Sequence, residues 1–217
     1  MSVSVSVRTC VLGCLVALVS ACEGPRGQRL CDAFAKRDVA AVRLILDGAA
    51  IDLTKSQGTC VPVGAVFGVA KPSDGPLNEI GVELVNAGLP ANASWYPDNN
   101  PRTWAIEAAA RNGNVGLVRA LFAVGLDVKS PEATRAFMQA AAAGHLPVVQ
   151  LLVQEGADFE VVVDGETPLE RATANGRADV IEYFEGLAGV RAAAAEAKAA
   201  EAAAADAPPA DKPHPQP

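Results

Sequence analysis

Four stretches of the chain, 38–48, 78–88, 114–125 and 145–156, carry apolar residues at helical spacing and end on a glycine. Val, Leu and Ile recur every three to four positions, which puts them on one helix face, and the closing glycine is a common helix stop. These glycines, 48, 88, 125 and 156, are spaced by 40, 37 and 31 residues. A second series, Gly113, Gly144 and Gly176, is spaced by 31 and 32 residues. Small-residue runs precede that series: Ala105 to Arg111, Phe137 to Ala143 and Leu169 to Ala174. The pattern predicts a repeating unit of short helix, glycine joint, second helix and loop.

Three in-register copies make the pattern specific. The run from Ala140 through Gly144-His145 to Gly156-Ala157-Asp158 resembles the core of an ankyrin repeat almost position by position. Arg111 to Gly125 is a second copy, and Asp164 to Gly176 a third. Thr167-Pro168-Leu169-Glu170 opens its helix with a capping hydroxyl, a proline at the first position and a glutamate that can return the hydrogen bond. Glu170 stands where the family usually has histidine. Two flanking units are degenerate: 30–53 lacks the inter-helix glycine, and 59–92 carries Lys71-Pro-Ser-Asp-Gly-Pro76 at its joint. The resemblance spans about 29–189, most strongly from 102 onward. It implies an all-α, ankyrin-like repeat solenoid of about five helix–turn–helix units, none of which buries its apolar face alone. Alanines 109, 110, 140, 141 and 172 are expected to let successive first helices stack closely.

The ends read differently. Val11 to Val19 is an uncharged apolar run after Arg8, with the length of a signal-peptide core and too short for an ordinary membrane span. It closes on Val19-Ser20-Ala21-Cys22, which resembles a bacterial lipobox and implies lipidation of Cys22. A plain signal peptide cut near Ala21 and an uncleaved anchor are the alternatives. The earlier Val11-Leu12-Gly13-Cys14 lies inside the apolar run and is rejected. The expected organisation is a signal peptide 1–21, a tether 22–28, the repeat domain 29–189, an alanine-rich helix 190–207 that extends or caps the last repeat, and a disordered proline-rich tail 208–217. The expected location is the periplasm of a Gram-negative bacterium, with Glu23 after the cysteine favouring the outer over the inner membrane. After loss of Cys10 and Cys14 and lipidation of Cys22, Cys31 and Cys60 remain. In an oxidising compartment they read as a disulfide, or else as two buried thiols. A bridge closing a loop of about 30 residues is worth ~3 kcal/mol.

Composition narrows the chemistry. The net charge is −7, or −8 without residues 1–21, and no basic stripe is present, which argues against nucleic acid. Of the two histidines, His145 sits at a helix start where the family commonly carries Gly-His, and His214 lies in the tail. No nucleophile elbow, phosphate loop or metal-ligand cluster appears, so neither an enzyme, a cofactor nor a small-molecule substrate is expected. Glu107 and Glu170 share a repeat position and pair only by that periodicity.

What remains is protein binding through the loops, or fingers, and first helices on the concave side. Aromatics make up only 5% of the chain, yet the loop 94–104 holds Trp95, Tyr96, Asn99, Arg102 and Trp104. Trp, Tyr and Arg dominate interface energetics. Folding back of the tryptophans over the degenerate second unit is the competing reading. Other fingers offer Asp52, Lys55, Gln57, Lys129, Glu132, Asp158, Phe159, Glu160, Asp164 and Glu166, the last five forming an acidic group suited to a basic partner. The expected role is a membrane-anchored interaction module, with an immunity or accessory function as one version. A structural envelope scaffold without a single high-affinity ligand is the alternative.

Overall fold

Helices form in pairs along the chain in the computed structural model, which describes residues 26–47, 52, 53, 55, 61–96 and 102–205. The first pair is α1 (Arg26–Lys36) and α2 (Val39–Leu46), the second α3 (Pro62–Phe67) and α4 (Gly75–Asn86). Two short strands follow, β1 (Ser94–Trp95) and β2 (Thr103–Trp104). The later pairs are α5 (Ala105–Arg111) with α6 (Val115–Ala123), α7 (Pro131–Ala143) with α8 (Leu146–Gln154), and α9 (Pro168–Ala174) with α10 (Ala178–Ala205). First helices pack on first helices (α1, α3, α5, α7, α9 in turn), and second helices on second helices (α2, α4, α6, α8, α10). The result is an all-α, two-layer, ankyrin-like stack of five units.

Side-chain size explains the two layers. Ala108, Ala109 and Ala110 of α5 and Ala136, Ala140 and Ala141 of α7 are fully buried, so the first-helix layer closes on methyl groups. The second-helix layer is filled by Leu84, Leu117, Leu121, Val148, Val149 and Leu152. Gly81 of α4 belongs to this layer, because a Cβ there would collide with the Leu117 side chain.

The inter-helix joints repeat one device. Two residues before α6, α8 and α10 the chain takes a left-handed conformation, at Gly113, Gly144 and Gly176, with φ of 76°, 82° and 64°. In the first unit Arg37 takes that role at φ 55°, an arrangement that costs about 1–2 kcal/mol without glycine. Its guanidinium reaches the next unit, where Nε and Nη2 donate to Asp74 at 2.9–3.2 Å. The same register links the later units. The Asn114 amide donates to Asn78 Oδ1, His145 Nε2 lies 2.9 Å from Arg111 O, and Arg177 Nε donates to Ala142 O at 2.8 Å. Space for these side chains comes from the glycines. A Cβ on Gly113 would sit 2.7 Å from His145 Nδ1, and one on Gly144 2.7 Å from Arg177 Cδ.

Two features depart from the plain helix-pair pattern. The alanine-rich segment prolongs the second helix of the last unit, α10 running unbroken for 28 residues from Ala178. Gly186 and Gly189 stay inside it, their cost of about 1 kcal/mol each set against a strongly helical alanine run. Val180 and Phe184 pin its first turns in the core, with Phe184 edge-on to Phe137 at 5.8 Å. The second departure is the antiparallel pairing of β1 and β2, Ser94 opposite Trp104 and Trp95 opposite Thr103, in an otherwise helical fold.

Candidate protein-binding surface

The finger between the second and third units is built on Trp95. Its indole lies against the glycine face of α3: a Cβ on Gly64 would stand 2.7 Å from Trp95 Nε1 and 2.8 Å from Cδ1. Gly68, which caps that helix, would place its Cβ 3.3 Å from Cζ2. Trp95 is accordingly only 9% exposed and belongs to the core. As a contact residue it is corrected to an anchor: the side chain folds back over the second unit and fixes the root of the finger. Gly64 and Gly68, four residues apart at a short helix, were the sequence signal that an aromatic ring lands there.

Tyr96, one residue on, points the other way and is 65% exposed. Arg102, on the returning arm, donates from Nε (3.0 Å) and Nη2 (2.8 Å) to the Tyr96 hydroxyl. Its guanidinium carbon lies 5.3 Å from the ring centroids of both Tyr96 and half-buried Trp104. The cation is thereby held between two aromatic rings, a geometry that restricts long, flexible side chains before any partner arrives. Beside it opens a groove of about 420 Å³ lined by Val61, Pro90, Asn92 and Tyr96 among others.

The C-terminal fingers form a second cluster. Glu160 Oε2 pairs with Arg191 Nη1 at 2.5 Å, and the Arg191 guanidinium covers the Phe159 ring at 5.5 Å. The long α10 is thus tied to the finger before α9. Glu166 Oε2 pairs with Arg171 Nε at 2.5 Å. Asp164 and Gly165, both at positive φ (54° and 85°), make a tight turn closed by the Val163–Glu166 bridge. Asp158 Oδ1 accepts from the Glu160 main-chain N–H at 3.1 Å. Lys129 and Asp158, from successive fingers, share a groove of about 240 Å³ with Val128, Phe137 and Val161. The acidic group is therefore less acidic than its composition suggests, since Glu160 and Glu166 are answered within the chain while Asp158 and Asp164 are exposed and make no ion pair among the described residues.

Two further carboxylates are engaged in the frame. Glu170 Oε2 accepts from the Thr167 N–H (2.7 Å) and hydroxyl (2.9 Å), and these bonds, the backbone one first, hold its carboxyl below its usual range. Asp74 is held down chiefly by its hydrogen bonds from Arg37. Among the described residues no group of three or more His, Cys, Asp or Glu could hold a metal ion, and no helix is long and apolar enough to cross a membrane. Cys31 is buried on α1. Cys22, Gln57, Cys60, Asn99, the segment 1–21 and the tail 208–217 lie outside the described residues.

Stacked helix pairs with projecting loops define a repeat solenoid, whose extended surface lends itself to binding other proteins. The repeats can be named more closely: a family model for ankyrin repeats matches residues 104–187 in 3 copies. That stretch covers the third to fifth units, and the first two continue its stacking outside the match. No curated protein matches the chain. Ankyrin repeats are protein–protein interaction modules and generally non-catalytic.

Proposed function

We propose that the protein is an exported, lipid-anchored interaction module that holds a protein partner on its finger side. The observation that carries the reading is the Tyr96–Arg102–Trp104 clasp. An exposed tyrosine and an arginine are pre-ordered on a buried tryptophan root, in a chain that otherwise commits its aromatics to packing. Arranging such side chains before contact reduces the ordering cost of binding. The Lys129–Asp158 groove and the exposed Asp158 and Asp164 extend the surface toward the C-terminal units. Residues 48–217 carry 12 basic and 21 acidic side chains, a net −9, which favours a basic partner through electrostatic steering.

The rest of the reading comes from the sequence. Val19-Ser20-Ala21-Cys22 supports signal-peptide removal, lipidation of Cys22 and a periplasmic location at the outer membrane. A Cys31–Cys60 bridge is supported by the sequence: Cys60 stands two positions before α3, a helix that packs on α1, and α1 carries Cys31. An immunity protein that neutralises a basic toxin, or an accessory subunit of an envelope enzyme, fits this arrangement.

The test is affinity capture from envelope and secreted fractions of the source bacterium with the chain from Glu23 onward, against a Tyr96→Ala/Arg102→Ala variant. Both residues are exposed, so the variant should melt within about 2 °C of the parent. One protein retained by the parent and lost by the variant upholds the reading. Identical capture by both would place the binding surface elsewhere.

A further inference from the structure

One edge of the β1–β2 finger carries main-chain groups that its own ladder leaves unused. The Ala105 N–H donates to the Ala93 carbonyl at 2.8 Å, and Trp95 stands opposite Thr103. Bonded and non-bonded positions alternate along an antiparallel pair, so positions 93 and 95 face β2, and Ser94 and Tyr96 turn their N–H and C=O groups away from it. Among the described residues, no main-chain hydrogen bond reaches those outward groups. They form a row at two-residue spacing beside the groove of about 420 Å³, which Asn92, Ser94, Tyr96, Pro90 and Val61 line. We propose that β1 takes an extended segment of the protein partner as a third strand along this edge. The proposal rests on the reading of this finger as a partner surface and specifies how the partner is held.

Three observations favour a strand. The first is the row itself: an extended backbone presents N–H and C=O groups at the matching interval, whereas a helix spends its own internally. The second is that the edge is unguarded. Free strand edges are commonly protected by charged side chains, and no described residue lining this groove is charged. The third is that the edge is ordered before contact. Trp95, 9% exposed, anchors β1 on α3, and Arg102 ties the Tyr96 hydroxyl to the returning arm. The same features describe the incoming segment. Its two or three central residues are uncharged, to suit the groove, with a β-branched or aromatic side chain beside the exposed Tyr96 ring. The chain's net charge of −7 favours lysine or arginine on either side of them.

The probe is a phage-displayed library of random linear peptides, selected on the chain from Glu23 onward; recovered peptides are synthesised and their affinities measured. Methylating the amides of alternate peptide residues is the decisive readout, because in an added strand one alternating set bonds to β1 and the other faces away. Methyl groups on the first set should weaken binding about tenfold each, and those on the second should leave it unchanged. Ser94→Pro, which removes an outward N–H and leaves the ladder intact, should also cost about tenfold, and Ser94→Ala nothing. Proline also restricts Ala93, so amide exchange in the unaltered chain supplies a readout without substitution. The Ser94 and Tyr96 amides should exchange freely alone and about tenfold or more slowly with peptide bound, with Trp95 slow in both. No recovered peptide, or equal sensitivity to both methylation sets, overturns the proposal. So does slow exchange of Ser94 and Tyr96 in the free chain, since another stretch of the chain then occupies the edge. Peptides lost with Tyr96→Ala/Arg102→Ala but indifferent to the methylation set refute the added strand and leave the finger a partner surface. Failure of the wider reading shows elsewhere, as envelope capture unchanged by that double variant.

Discussion

Replacing Gly64 with alanine sets two effects of opposite sign against each other. In α3, Ala in place of Gly should add about 1 kcal/mol through helix propensity. The same methyl group would stand 2.7–3.0 Å from three atoms of the Trp95 indole, closer than carbon atoms pack. The ring is pinned by the β1–β2 pairing and by Gly68 beneath it, so it cannot swing aside, and overpacking of this kind costs about 1–3 kcal/mol. The net expectation is destabilisation by ~1 kcal/mol, a melting temperature lower by about 2–4 °C for a domain of this size. Trp95→Ala alone removes a core aromatic and should cost about 3–5 kcal/mol. In that background the clash is gone, and Gly64→Ala should now stabilise by ~1 kcal/mol. Urea unfolding of the four proteins gives the coupling directly, with ~2 kcal/mol expected. If Gly64→Ala is equally stabilising with and without the indole, Trp95 does not rest on α3 and the account of the finger's root is wrong.

Further expectations concern the joints and the long helix. Asn114→Ala should cost about 2 kcal/mol in chemical denaturation, because Asn114 caps α6 through the Leu117 N–H and its loss strands Asn78 Oδ1. Arg191→Gln should leave the global melting temperature nearly unchanged while speeding amide exchange in residues 188–198, because its ties to Glu160 and Phe159 hold that part of α10. For pH, Glu170 and Asp74 both have folded-state carboxyls below their ordinary values, so each adds stability above its unfolded value, near 4.5 and 3.8 respectively, that drains away as pH falls through the lower folded one. Thermal melts from about pH 6 down to 3 should therefore decline less steeply in Glu170→Gln than in the parent, and parallel curves would refute the assigned role.

Much of the frame was legible because it is written in local signals. The glycines at 113, 144 and 176 marked left-handed joints, and Thr167-Pro-Leu-Glu170 specified a capping box that forms atom for atom. Even the degenerate first joint obeyed the rule, with Arg37 forced into the glycine conformation. The finger side was harder. Whether Trp95 faces solvent depends on a surface formed some thirty residues earlier by Gly64 and Gly68, which periodicity within the loop does not register. The same holds for charge. Glu160 looked available until Arg191, a full unit downstream, was placed beside it by the unbroken α10. That helix passes through Gly186 and Gly189, neither of which takes a left-handed turn.

The polar contacts between units differ in a way that bears on how the chain could be lengthened or shortened. Between the first two units the links are private: Arg37 needs Asp74, and Arg43 needs Glu79 and Glu83. In the last three units His145 and Arg177 address main-chain carbonyls, which any sequence supplies. A C-terminal unit could thus be duplicated, deleted or exchanged without redesigning its neighbour, whereas the N-terminal pair would have to travel together. Variation in finger number and chemistry is accordingly cheapest toward the C-terminal end, leaving the Tyr96–Arg102 clasp and the units beneath it as the fixed part of the molecule.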